Sequence, residues 1–157
     1  MAEQQQLLMT REELMDVLDV EWARYIPTLE MLTDEEQAEY AERHDFDNLH
    51  DLIARIATRM WKTMDAVNAR LRGEVVPDWK DEAEYEAHFA ARTVDEVKAD
   101  FENARTSLAG LIAELPVEAM EDTYLYSWLH SAIVGQYRRF QPPGDPQNPA
   151  EQNNVIM

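Results

Sequence analysis

The chain has no cysteine, four glycines in 157 residues, and only 14 lysines and arginines against 32 aspartates and glutamates. Each shortage excludes something. Without cysteine there is no disulfide, no thiolate nucleophile and no Cys-built zinc or iron-sulfur centre. Scarce glycine argues against sheet folds built on glycine-rich turns, and against phosphate-cradling glycine loops. The formal charge of -18 opposes nucleic-acid binding, where Lys and Arg must displace counterions from phosphates, and disfavours anionic membrane surfaces for the same reason. No apolar run approaches the roughly 18 residues of a spanning helix. The opening "MAEQQQLLMT" carries neither the basic n-region nor the long apolar h-region of a secretion signal, so a cytoplasmic location is the expectation.

Helix-forming residues dominate instead, and 45% of the chain is hydrophobic, enough for one core. The expected fold class is all-α: a four-helix bundle occupying residues 1–140, followed by a Pro-rich polar tail over 141–157. The first helix is announced by Thr10 and Glu13 at capping-box spacing, then by Leu14, Leu18, Trp22, Tyr25 or Ile26, and Leu29. Pro27 predicts a kink or break just before it. "TDEEQAEY" predicts one or two further turns. The second helix is expected from Asp47 to Gly73, burying Leu49, Ile53, Ile56, Met60, Met64 or Thr63, Val67 and Leu71. A long crossover over 74–92 follows, with a short helix in "KDEAEYEAHFAAR". Thr93 and Glu96 open the third helix, with Val94, Val97, Phe101, Ala104, Leu108, Leu111 and Leu115 inward. The fourth runs from about Tyr124 to Phe140 with Leu129, Ala132, Ile133, Gln136 and Phe140 on one side.

The stretch "HDFDNLHD", residues 44–51, has the residue types of a metal site but not the spacing. A calcium loop needs glycine at its sixth place and glutamate at its twelfth, where this chain has His50 and Ile56 counted from Asp45. His44 and His50 are six apart and share no helix face. Helix capping by Asp47, with Asp51 adding charge at the helix start, is the preferred reading. Glu84 and His88 stand at i, i+4 on the crossover, where a solvated pair is the plainer account. No nucleophile triad or glycosidase carboxylate pair can be read from spacing.

The last third does hold an aromatic and polar collection: Tyr124, Tyr126, Trp128, His130, Gln136 and Tyr137, which Arg55 and Trp61 of the second helix would join in a bundle. Such a mixture can line a small-molecule pocket, although Trp and Tyr also fill cores with their polar tips wet.

The segments "TREELMDVLDVEWARYIPTLEMLTDEE", "NLHDLIARIATRMW", "TVDEVKADFENARTSLAGLIAELPVEAM" and "GQYRRF", in this order, resemble the DinB-like superfamily of bacterial four-helix bundles, and within it the ClbS/DfsB family. In that family the second helix typically carries Asp, a His four positions on, and a Trp. Here Asp51 matches the Asp, Arg55 stands at the His place and Trp61 lies near the Trp place. The fourth helix typically reads His-Tyr-Arg, and here Gln136, Tyr137 and Arg138 stand there. The two positions that serve a divalent metal in DinB-like proteins are thus Arg55 and Gln136; a guanidinium cannot coordinate and an amide is a poor ligand, so no metal or other cofactor is expected.

The resemblance implies a homodimer, and for some relatives self-protection against an electrophilic genotoxin by hydrolytic opening of a cyclopropane. The leading expectation is a protein binding a small, largely apolar molecule through Arg55, Trp61, Tyr126, His130, Gln136 and Tyr137. Hydrolysis without metal would draw on His130, Gln136, Tyr126 or Arg55. The competing expectations are a non-catalytic homodimeric interaction protein and a metal-dependent enzyme built from His44, His50, His88 and His130.

Overall fold

The computed structural model describes residues 9–76 and 93–143. The expected crossover helix, the Glu84–His88 pair and the tail from residue 144 lie outside the described residues. Among the described residues the chain is all-helical, with five helices and no strand.

Helix α1 spans residues 11–30 and changes pitch along its length. It begins as α-helix over Arg11–Asp16, widens to a π turn over Val17–Glu21, tightens to a 3-10 turn over Trp22–Arg24, and resumes as α-helix over Tyr25–Glu30. Its start is the expected capping box: the Glu13 amide donates to Thr10 Oγ1 (3.1 Å) and the Thr10 amide to Glu13 Oε1 (3.0 Å). Pro27 cannot donate to the carbonyl four residues back, that of Ala23, and Ala23 is the middle of the 3-10 turn. The backbone therefore changes geometry upstream of the proline and continues helically through it.

The segment after α1 forms more than the one or two turns expected. α2 is a ten-residue helix, Asp34–Arg43, because "TDEE" is itself a capping box, with Thr33 and Glu36 exchanging bonds of 3.1 and 2.9 Å. α3, Leu49–Leu71, is the longest element. Its cap is not Asp47, as expected, but Asn48, whose Oδ1 accepts from the Asp51 amide at 2.8 Å. It ends as expected at Gly73, with φ of +71° and the paired bonds Gly73 N–H to Arg70 and Glu74 N–H to Ala69 of a Schellman stop. Leu71, expected inside, is exposed at this terminus.

α4, Val94–Glu114, carries the Thr93–Glu96 capping box; Val94, in its first turn, is half exposed rather than buried. α5 covers residues 123–139 as Thr123–His130, a second π turn over Ser131–Gly135, and Gln136–Arg139. Asp122 caps it, accepting from the amides of Tyr124 and Leu125.

α3 packs against α2, α4 and α5, and α1 packs against α4 and α5. Accordingly α3 buries more than a stripe: Leu52, Ala57, Thr58, Thr63 and Ala66 are inside beside Ile53, Ile56, Met60, Met64 and Val67. At the heart of the core Trp22 meets Tyr25, Phe101 and Tyr137 at ring-centroid distances of 5.0, 5.8 and 5.2 Å, joining α1, α4 and α5. No helix among the described residues is long and apolar enough to cross a membrane.

Candidate functional site

A cleft of about 690 Å³ opens between α3, α5 and the turn that joins α2 to α3. Helical periodicity builds its walls. Asp51, Arg55 and Arg59 step by four along α3, with Thr58 beside them, and Ser131, Gly135 and Arg139 step by four along α5. Gln136 and Phe140 complete the α5 side. Gln136 is nearly buried and donates from Nε2 to the Ala132 carbonyl at 3.0 Å.

The third wall comes from residues 44–46, and it answers what "HDFDNLHD" does. α2 ends in a second Schellman stop: the Phe46 amide donates to Ala41 and the Asp45 amide to Glu42, both at 2.9 Å, with Asp45 at φ of +66°. Aspartate tolerates this left-handed conformation better than most residues bearing a Cβ. The stop turns His44, Asp45 and Phe46 onto the cleft before Asn48 starts α3. His44 stands edge-on between Tyr40 and Phe140, at 5.0 and 5.1 Å. Burial depresses its pKa below the ordinary 6.5, and the nearby Arg43 and Arg139 guanidiniums push it the same way.

Behind this wall lies a buried hydroxyl chain. Tyr40 donates to the Phe140 carbonyl, so the 2.7 Å contact between the Tyr25 and Tyr40 hydroxyls has Tyr25 as donor. Both phenols are held neutral chiefly by burial, which raises their pKa values.

Of the six residues expected to contact a ligand, the fold brings Arg55 and Gln136 together on this cleft. Trp61, Tyr126, His130 and Tyr137 are not among its lining residues. Tyr126 accepts from the Met9 amide at 2.7 Å and stacks on His130 at 5.8 Å. His130 has its pKa lowered by burial and by Arg138. Tyr137 is buried edge-on to Trp22, and Trp61 is half-buried against the core. Sequence reasoning weighed His44 only as a metal ligand and passed over Arg59, Ser131 and Arg139; the four-residue steps on α3 and α5 were the available signal for Arg59 and Ser131.

The histidines do not assemble. His50 lines a separate cleft of about 410 Å³, with its Nδ1 3.4 Å from Asp51. Among the described residues no three His, Asp or Glu side chains stand close enough to hold a metal ion. The donor set that the resemblance would require does not fit one either, since Arg55 and Gln136 offer a cation and an amide.

Comparison of the chain with protein-family models, with curated proteins and with solved structures finds no match.

Proposed function

We infer that this chain is a cytoplasmic four-helix-bundle protein of the DinB-like kind, resembling the ClbS/DfsB family, that holds a small molecule with a largely apolar body in the cleft between α3 and α5. One observation carries this reading: Arg55 and Gln136, which stand where the resemblance expects metal-binding histidines, line the same cleft. The mutual contacts of α1, α3, α4 and α5 support the bundle, and the long connection from Gly73 to Thr93 supports a crossover between its second and third long helices. The cleft volume suits a small organic molecule, and half-buried Phe46 offers it aromatic surface.

Metal-independent hydrolysis is the reaction class this reading carries. His44, neutral at pH 7, is the cleft residue suited to take a proton from water, in place of His130. Screening small molecules against the chain by amide NMR, then repeating with Gln136→Ala, tests the site. Shifts confined to the cleft and weakened by the substitution support it. A more stable Gln136→Ala variant with unaltered binding would sink it.

The competing class is a non-catalytic homodimer. Its contact would draw on exposed apolar side chains such as Met31, Val117 and Tyr124, which stand on separate elements. Sedimentation of the full chain decides it: a dimeric mass without cleft ligands favours that class.

A further inference from the structure

This inference deepens the cleft reading and rests on it. The chain as a whole carries -18, yet the described lining of the α3–α5 cleft has the opposite balance. Arg55, Arg59 and Arg139 face Asp45 and Asp51, so three guanidiniums less two carboxylates leave +1, with His44 neutral at pH 7. Arg55 and Arg59 have partners of their own. Arg139 differs from them. Its exposed guanidinium makes no hydrogen bond or ion pair among the described residues and lies over the Phe140 ring, 5.1 Å from the centroid. In a chain where acids outnumber bases by 32 to 14, an arginine at a cleft without a carboxylate partner is an open anion receptor.

We propose that the cleft takes a small organic acid, its carboxylate received by Arg139 and its apolar body laid against Phe46. A carboxylate suits the site better than a phosphate because its single charge matches the +1 of the described lining, while its two coplanar oxygens meet the guanidinium fork. Arg55 and Arg59 contribute attractive field from the facing helix, and Ser131 and Gln136 supply polar surface on the same wall as Arg139.

The test uses naphthoate, naphthamide and naphthyl phosphate, three probes with one aromatic body and different heads, titrated into the full chain at low salt and followed by amide NMR. Naphthoate is expected to shift the signals of residues 44–46 and 135–140 and to bind about tenfold more tightly than the amide, the margin of one charge-assisted pair. Arg139→Gln should bring naphthoate down to the amide's affinity, and Arg139→Lys, which keeps the charge without the fork, should fall between. Arg138→Gln removes the same charge from a neighbour outside the cleft lining and should leave naphthoate binding unchanged. Amide and acid binding equally in the cleft would overturn the organic-acid assignment and leave the cleft reading standing. Tighter binding by the phosphate would overturn the choice of a singly charged carboxylate. No cleft shifts with any probe would overturn both the assignment and the site.

Discussion

The indole N–H of Trp22 donates to the Ile133 carbonyl at 2.8 Å, a buried bond across 111 positions that ties α1 to the π turn of α5. π turns widen the helix and displace carbonyls from ordinary i to i+4 pairing. Both π turns here are met by a side chain from another helix: Trp22 reaches Ile133, and Arg105 of α4 reaches the Leu18 carbonyl at 3.2 Å. The second π turn lies between Ser131 and Gly135, directly ahead of Gln136, so this bond also supports the α5 wall of the cleft.

Trp22→Phe should therefore destabilise the chain by more than its lost volume. The substitution leaves a buried carbonyl without its donor and opens space among Tyr25, Phe101 and Tyr137. A loss of about 2–3 kcal/mol is expected from these two effects. Urea unfolding measures it, and a loss below about 0.5 kcal/mol would show that the bond contributes little.

The direction of the tyrosine chain gives an asymmetric pair of variants. Tyr25→Phe removes only the outer donor, because Tyr40 still donates to Phe140; the expected cost is about 1 kcal/mol. Tyr40→Phe strands both the Phe140 carbonyl and the Tyr25 hydroxyl, and should cost about 2 kcal/mol or more. The pH dependence follows from the same burial. Folded pKa values raised above 10.0 mean that the pair's stabilising effect is whole below pH 10 and is lost as pH climbs from there toward the folded values. Ultraviolet titration should show two phenols that ionise only as the fold opens; equal costs for the two variants would refute the assigned direction.

The turn from α2 to α3 separates three neighbouring residues by role. Asn48→Ala should cost about 1 kcal/mol as a lost helix cap, while Asp47→Ala, at an exposed non-capping position, should be nearly neutral. Asp45→Gly should stabilise by roughly 0.5–1 kcal/mol, because glycine adopts the left-handed φ of +66° without a Cβ penalty. Thermal melts of the three variants give the order directly. Asp47→Ala proving the costly one would return the cap to the residue expected from sequence.

What the sequence revealed and what it hid follow from range of interaction. Thr10 with Glu13 and Thr93 with Glu96 are legible because a capping box is complete within four residues. Thr33 with Glu36 spells the same box, and α2 was underestimated only because its one strongly apolar anchor, Tyr40, finds its partners on α1 and at Phe140. Gln136 stood out as a polar residue on an apolar face, and Arg55 as a polar member of the aromatic collection before the resemblance placed it as well. Tyr126, Trp61 and Tyr137 matched a pocket by residue type alone, and residue type does not distinguish a pocket wall from core packing. His44 was read only as a possible metal ligand, because its place on the cleft depends on a left-handed Asp45, and Arg139 was hidden because nothing local says which face of a helix terminus borders a cleft. The π turns left no pattern, since their displaced carbonyls are matched by residues 87 and 111 positions away.

His44 should be the most informative group in a pH titration. Burial is the largest influence on it, Arg43 and Arg139 oppose its protonation, and Asp45 alone favours it; Tyr40 and Phe140 supply apolar ring contacts. Its folded pKa therefore lies below 6.5, so its contribution to stability is present above pH 6.5 and is lost as pH falls through the folded value. Histidine ring NMR should find His44 titrating below the ordinary range, and His130 shifted the same way by burial and Arg138. Replacing Arg139 with Gln removes one of the two cationic neighbours and should move the His44 midpoint upward while leaving that of His130 in place. In unfolding experiments between pH 7 and 5, His44→Gln should flatten part of the acid-side loss of stability. A His44 midpoint above 6.5, or one indifferent to Arg139→Gln, would mean that the imidazole is more open to water than its place between Tyr40 and Phe140 requires, and would remove it as the neutral base of the cleft.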